Sequence, residues 1–399
     1  MEKQRTLIGL NSAVFLMMLG VGMMMALLPQ RIIALTGSGG TVGYLASAFA
    51  ISYILLQVPI GRLSDRFGFK PFLFWGYLLC SLTGVLYYFA DHPNLYFWGR
   101  VFQGAGEAPV WALAPALLSL RYPAAKGRVI GIYNASLHIG LTIGPLLGIL
   151  LAKELTGRQP FLFYAGVCLG GALLLQFSVP TERGEARGGG QSEKQTFDWN
   201  NLAALVTLGN SLAALLGIAL YGAGYGLFLT TIPSFLILVK NFQQTSVGLF
   251  FALFYIAISL SQVITGGLSD RMGRKVFMIA GLFLAAWSIA IFTELPPPWI
   301  VAALTAGSLG LGVFYLSSMA YLNEVVPDTL KGTISGAYYL FWGIGFFVGP
   351  LLIGKMNGAA AVAGYRIFAV LLFMEALILV FCNKRSEIGS KRGDRNALL

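Results

Sequence analysis

The sequence predicts an all-α membrane protein of twelve spanning helices in two related six-helix halves. Three observations carry this. The 399-residue chain is 57% hydrophobic and only 11% charged, with a mean hydropathy of +0.75, whereas soluble domains carry about a quarter charged residues. Its apolar residues gather into twelve runs, each long enough to cross the hydrocarbon at roughly 20 residues per helix. The second half also repeats the first at a shift of 204 or 205 residues, as in transporters that enclose a site between two homologous halves.

In chain order the predicted spans are 7–35, 41–61, 71–90, 94–120, 128–152, 160–179, 206–238, 245–266, 276–293, 297–322, 332–354 and 363–382. The first begins near Thr6 and is too long for the apolar core of a signal peptide. Gly37-Ser38-Gly39-Gly40 has no preceding strand or following Lys, so it reads as a turn between the first two spans. The one long polar stretch, 180–205, contains Gly188-Gly189-Gly190 and reads as a cytoplasmic linker. It divides an N-terminal bundle over 1–179 from a C-terminal bundle over 206–382, and 383–399 reads as a basic cytoplasmic tail.

The net charge of +11 raises the question of nucleic acid, and its distribution answers it. With both termini inside, Lys and Arg concentrate on cytoplasmic segments, and six lie outside: Arg31, Lys153, Arg158, Lys240, Lys355 and Arg366. That bias is the positive-inside rule at work, a topology signal and not a nucleic-acid footprint. Cys80, Cys168 and Cys382 all fall in or at the end of apolar runs, which makes them packing residues without redox or metal spacing. No phosphate-binding loop of the Gly-rich Lys type appears, so the chain carries no ATP-driven module of its own.

The repeat is most specific where Gly61-Arg62-Leu63-Ser64-Asp65-Arg66-Phe67-Gly68-Phe69-Lys70 returns as Gly266-Gly267-Leu268-Ser269-Asp270-Arg271-Met272-Gly273-Arg274-Lys275. Lys126-Gly127, Tyr133 and Gly140, Gly144, Pro145 return as Lys331-Gly332, Tyr338 and Gly345, Gly349, Pro350. The doubled loop resembles the signature of the major facilitator superfamily, and the resemblance covers the whole chain. Arg100-x-x-Gln103-Gly104-x-Gly106 resembles that family's second motif, and Gly140-x-x-x-Gly144-Pro145-x-x-Gly148 the antiporter motif of its drug/proton exporters.

The resemblance implies a cytoplasmic latch in which Asp65 and Asp270 meet helix starts near Gly332 and Gly127, with Gly61, Arg66, Gly68, Lys70, Gly266, Arg271, Gly273 and Lys275 completing the two loops. A carboxylate at a helix N-terminus is favourable, while the basic residues also serve topology alone. The smooth face of Gly140, Gly144 and Gly148, with Pro145 weakening the helix ladder, is expected to make a close, bendable contact between the two halves. That it marks antiport is implied by the resemblance; packing alone also produces such a face.

Ionisable residues inside spans are functional candidates by default. Arg100 and Glu107 lie seven residues apart on one face of the fourth span, about 10 Å along the axis. Glu107, at mid-span, is the leading proton carrier, against the plainer reading of a hydrogen-bonded structural acid. His138, mid-way along the fifth span, is a second proton-handling candidate, and Arg31 either snorkels outward or faces the cavity as a substrate anchor. Glu324 and Asp328 read as partners of Arg271 or Arg274; Glu375 has no functional reading from the sequence.

The second half is poor in charge and rich in aromatics. Tyr221, Tyr225, Phe228, Tyr315, Tyr338 and Trp342 are candidate substrate contacts, against the ordinary reading of aromatics as core. An ionisable wall facing an aromatic one suits an amphipathic solute. The expected function is therefore proton-coupled efflux of hydrophobic or amphipathic small molecules by alternating access. The expected protein is a monomer in a bacterial inner membrane, contacting lipid, without cofactor or metal. The alternatives are a lipid or lysolipid flippase and an exporter of a metabolite or siderophore-like chelator; one Glu and one His on neighbouring spans are too few for an enzyme.

Overall fold

Helices account for nearly all of the computed structural model, which describes residues 2–122, 126–150, 158–180, 211–325, 331–356 and 358–396. They are α1 (Glu2–Thr36), α2 (Gly43–Phe67), α3 (Phe69–Phe89), α4 (Pro93–Arg121), α5 (Lys126–Leu150), α6 (Gln159–Ser178), α7 (Ser211–Leu229), α8 (Thr231–Leu238), α9 (Gln244–Met272), α10 (Arg274–Ile291), α11 (Pro297–Val325), α12 (Lys331–Gly354) and α13 (Ala359–Asn396). Each expected span coincides with one of these except the seventh, which is two helices. Among the described residues nine helical stretches are long and apolar enough to cross a membrane, and α2 adds a shorter apolar piece, Gly43–Gln57. Cys80 and Cys168 are buried and free, and 181–210, with most of the expected linker, lie outside the described residues.

The seventh span differs from its expected single helix. It breaks at Thr230 (φ −132°, ψ −70°) into α7 and α8. Pro233 explains the break, because its ring clashes with the carbonyl four residues back, that of Leu229, and cannot donate to it. Hydroxyls bond to carbonyls around the break: Thr230 Oγ1 donates to Gly226 O at 2.7 Å and Ser234 Oγ to Thr230 O at 2.8 Å. The C-terminal helix also continues to Asn396, past the position where the sequence suggests a tail, although nothing is described of its side chains beyond Phe381.

The chain forms two compact units. One comprises Met1–Gln191, Gly226–Ile256 and Pro350–Asn357, the other Ser192–Tyr225, Ala257–Gly349 and Gly358–Leu399. The repeat reappears inside them as matching helix crossings. In the first unit a methyl group on Gly140 would fall 2.6 Å from Phe15 O, and one on Gly144 would meet Leu19 O. In the second, Gly345 is pressed on Ala219 O and Gly349 on Ala223, the positions 204 residues on from Phe15 and Leu19. Likewise Gly76 and Gly106 meet across α3 and α4 as Gly281 and Gly310 meet across α10 and α11. Small residues let backbones approach where lipid offers no hydrophobic drive between helices. The glycine face of α5 therefore packs on α1 within its own unit, a correction to the expected contact between the two halves: α1 presents Gly22 to Leu141 O and Pro145, while Gly20 faces Tyr164 and Val167 of α6.

The doubled loop is conserved in backbone form too. Gly68 (φ 81°) separates α2 from α3 and Gly273 (φ 93°) separates α9 from α10. A side chain is strained at such angles, which explains why both copies place glycine there.

Gly144→Leu is expected to lower the thermal unfolding midpoint in detergent by several degrees, because overpacking at a backbone contact costs about 1–3 kcal/mol or more. Gly166→Ala, at a position with open space around it, should change stability by no more than about 1 kcal/mol and should not lower the midpoint. Equal midpoints for the two variants would refute the close-contact assignment.

Candidate functional site

Helix α4 carries a ladder of polar side chains through an otherwise apolar unit. Arg100, Gln103 and Glu107 are 2%, 0% and 3% exposed, and with Trp111 they follow one another at spacings of three or four residues, so they share a face of the helix. Arg100 Nη1 donates to Gln103 Oε1 at 2.8 Å, Gln103 Nε2 to Glu107 Oε1 at 2.8 Å, and Trp111 Nε1 to Glu107 Oε2 at 3.3 Å. The two ionisable groups are thus joined through one amide. Gln103 is oriented by its neighbours: its oxygen faces the guanidinium and its nitrogen the carboxyl, and Tyr87 Oη also donates to that oxygen at 3.3 Å.

The guanidinium is held on every side. Its Nε donates to Leu45 O at 3.1 Å, its Nη1 lies 3.4 Å from Met25 Sδ, and its carbon sits 4.6 Å from the centre of the Phe49 ring. A buried cation is costly unless its donors find acceptors, and here hydrogen bonds and an aromatic face both meet it. Gly104 makes this possible by letting α4 approach α2, for a side chain there would strike Phe49 O and Ser52.

Arg31 belongs to the same unit. Its Nε donates to Tyr96 Oη at 3.1 Å; Tyr96 stacks on Tyr87 with centroids 5.5 Å apart and donates to Tyr87 O and Ala90 O. Arg31 is therefore pinned against the start of α4. His138, on α5, is half-buried, and its Nδ1 has no hydrogen-bond partner. The structure joins Arg100 to Glu107 and does not join His138 to either.

The side chains of Gly61, Asp65, Arg66, Gly266 and Asp270 lie outside the described residues, and with them the proposed latch. Of the rest of the two loops, Lys70 Nζ donates to Gln176 O at 2.7 Å in the last turn of α6, where a cation suits the helix end. Arg274 pairs with Glu324 at 2.9 Å, Lys275 Nζ lies 5.3 Å from the Tyr321 ring centre, and Arg271 is exposed. Asp328 lies outside the described residues.

In the second unit the aromatics named from the sequence form one connected group. Tyr221 touches Tyr225, Phe314 and Tyr315 at centroid distances of 6.0, 6.4 and 5.4 Å; Tyr315 meets Tyr338 at 6.0 Å and Tyr225 meets Trp342 at 6.2 Å. Tyr225, Tyr315 and Trp342 keep part of their surface accessible, and the hydroxyl of Tyr338 is buried without a partner. Phe228 lies elsewhere, fully buried in the first unit between Phe250 and Phe254. Sequence reasoning did not single out Gln103 and Trp111 as ligands of Glu107, although their helical spacing was there to read. Tyr87 and Phe49 arrive from other helices and leave no such signal.

A family model described as Major Facilitator Superfamily matches residues 10–350 and 214–397. Among curated relatives, the class C tetracycline resistance protein of Escherichia coli is 25% identical, covering 93% of this chain and 96% of its own length. The quinolone resistance protein NorA of Staphylococcus aureus is 22% identical over 99% and 100%. An uncharacterized MFS-type transporter of Methanocaldococcus jannaschii is 23% identical over 91% and 94%. The solved structure of the nucleoside transporter NupG superposes with a TM-score of 0.77 at 15% identity, covering 95% of this chain and 99% of that one, which speaks to the fold alone.

Replacing Gln103 with Leu removes the amide that both Arg100 and Glu107 use. Each buried group left unsatisfied costs about 1–3 kcal/mol, so Gln103→Leu should lower the unfolding midpoint far more than Tyr87→Phe, which deletes one neutral hydrogen bond worth about 1 kcal/mol. Thermal unfolding of the two variants side by side checks the order; the reverse order would break the ladder assignment.

Proposed function

Because this chain belongs to the Major Facilitator Superfamily, an integral multi-pass family of membrane transporters, we propose that it exports hydrophobic or amphipathic small molecules in exchange for protons. The observation that carries this reading is Glu107, a carboxyl enclosed in the first unit and wired through Gln103 to a buried guanidinium. Several relatives are named for multidrug, tetracycline or quinolone resistance, and export is carried over from those names as part of the proposal. Both termini face the cytoplasm in this reading, on the charge bias of the loops.

The ladder supplies a mechanism. In this conformation both oxygens of Glu107 accept, one from Gln103 Nε2 and one from Trp111 Nε1. A proton on Oε1 weakens it as an acceptor, and one aimed along the Gln103 contact sets a donor against a donor, which favours turning of the amide or departure of the carboxyl. If the amide turns, its nitrogen faces Arg100 Nη1, again donor against donor, and Nη1 loses its oxygen partner. Loading one proton therefore disturbs a chain of side chains that reaches α2 through Leu45 and Phe49. A two-state element biased by a local charge change is what alternating access requires.

The substrate wall is assigned to Tyr221, Tyr225, Tyr315 and Trp342, whose rings offer apolar area with polar rims. Arg31, held by Tyr96, acts as an anchor for α4 more than as a mobile ligand. His138 is a secondary candidate, since an unpartnered ring nitrogen is free to meet substrate or proton.

Glu107→Gln, which keeps shape and removes the charge, should abolish pH-gradient-driven movement of fluorescent amphipathic dyes in sealed vesicles while dye binding persists. Undiminished proton-driven flux in that variant would remove Glu107 from the coupling step.

A further inference from the structure

Glu375 is the one buried carboxyl among the described residues that this mechanism leaves unused. It lies on α13, six residues or about 9 Å from Phe381, where the described apolar span ends. It is 4% exposed, and its Oε1 is buried with no hydrogen-bond partner. Gly217 of α7 makes room for it: a methyl group on that glycine would lie 3.4 Å from Glu375 Oε1 and 2.7 Å from the Phe314 ring of α11. Three helices of the second unit thus meet at one carboxyl, and the Phe314 ring that shares the Gly217 contact also touches Tyr221.

The charges around it are few and engaged elsewhere. Helix α7 has none between Ser211 and Leu229, and its titratable groups are Tyr221 and Tyr225. Helix α10 carries Arg274 and Lys275 at its start, the first paired with Glu324 and the second over Tyr321. Helix α11 carries Tyr315, Tyr321 and Glu324. On α13 itself Arg366, nine residues or about 14 Å away, pairs with Glu294 at 2.6 Å, and Tyr365 packs on Phe292. Lys384 and Arg385 lie nine and ten residues in the other direction, with side chains outside the described residues.

Two further buried oxygens without partners mark a direction away from the carboxyl. They are Ser211 Oγ on α7 and Ser317 Oγ on α11. Gly217 sits at the level of Phe314 and Glu375 while Gly224 sits at the level of Leu311 and Phe368. Helix α7 therefore runs antiparallel to both α11 and α13, which places Ser211 and Ser317 on the same side of Glu375, towards the end of α13 that carries the basic residues. Hydroxyls donate and accept, so they can pass a proton where an apolar wall cannot.

We propose that Glu375 is a second proton-binding site, reached from the α7 N-terminal side past Ser317 and Ser211 and covered by Gly217. An isolated buried carboxylate is far more costly than the neutral acid, so the site holds its proton in this conformation and exchanges it with water. The inference does not rest on Glu107 being the coupling residue.

Infrared difference spectroscopy of the full-length protein in lipid vesicles tests it. Subtracting the Glu375→Gln spectrum from the parent at neutral pH should reveal the carbonyl stretch of one protonated carboxylic acid per chain, and that band should shift after transfer into D2O. The same band should survive in Glu107→Gln, which separates this test from the previous one. Loss of carboxylate bands in place of the acid band would overturn the proposal. So would an acid band that stays unshifted in D2O while exposed amides exchange, since that describes a sealed structural acid. Should Glu375→Gln fail to fold, Glu375→Asp serves instead: a displaced acid band supports the site and an unchanged spectrum in that region refutes it.

Discussion

Backbone contact between helices that give up their side chains is the constraint on which this structure depends. Lipid tails are as apolar as leucine, so helices in a bilayer gain little by burying Leu against Leu and must associate through close packing and polar contacts. Among the glycine crossings that meet this demand are α1 with α5, α7 with α12, α3 with α4, and α10 with α11. These crossings come in pairs related by the 204–205 residue shift, so the duplication survives in packing even where its side chains have diverged. They also fix the site. Gly104 and Gly106 bring α4 against α2 and α3, and only then do Leu45 O, Phe49 and Tyr87 come within reach of Arg100 and Gln103.

The halves differ most where the chemistry lies. Shifted by 204, Arg100, Gln103 and Glu107 fall on Leu304, Gly307 and Leu311, and Leu304 and Leu311 are fully buried. One copy of the α3–α4 unit therefore carries a hydrogen-bonded polar chain and the other an apolar seam with the same crossing. Buried polar groups are costly unless partnered, and in the first copy the amide of Gln103 partners both charged groups. The second unit instead concentrates tyrosine and tryptophan on α7, α11 and α12.

Much of this was legible in the residues. Span positions follow from apolar run length, and the repeat follows from glycine, proline and charged loop residues that have few substitutes. The positive φ of Gly68 and Gly273 gives the reason for two of them. The spacing of Arg100 and Glu107 placed both on one helical face, as found. What the sequence did not reveal were partners from distant segments: α1 as the surface met by Gly140 and Gly144, Tyr87 as a donor to Gln103, and Phe250 and Phe254 as the neighbours of Phe228. Periodicity fixes which face a residue occupies but not which helix lies opposite. The break at Thr230 was missed because Pro29 and Pro233 occupy equivalent positions, yet α1 passes through Pro29 unbroken; proline weakens a ladder, and the surroundings decide whether it parts.

Both buried acids can be understood from the same accounting of hydrogen bonds. Glu107 is surrounded by donors, two to its oxygens and a guanidinium one amide away, so its charge has partners within the protein. Glu375 meets a glycine, an aromatic ring and an unpaired oxygen of its own. The first environment gives a charged carboxylate partners; the second favours the neutral acid. Gly217 opens the space that Glu375 occupies, while Gly104 and Gly106 bring α4 against the helices that hold the partners of Arg100 and Gln103. The packing that holds the helices together thus also sets the surroundings of each carboxyl.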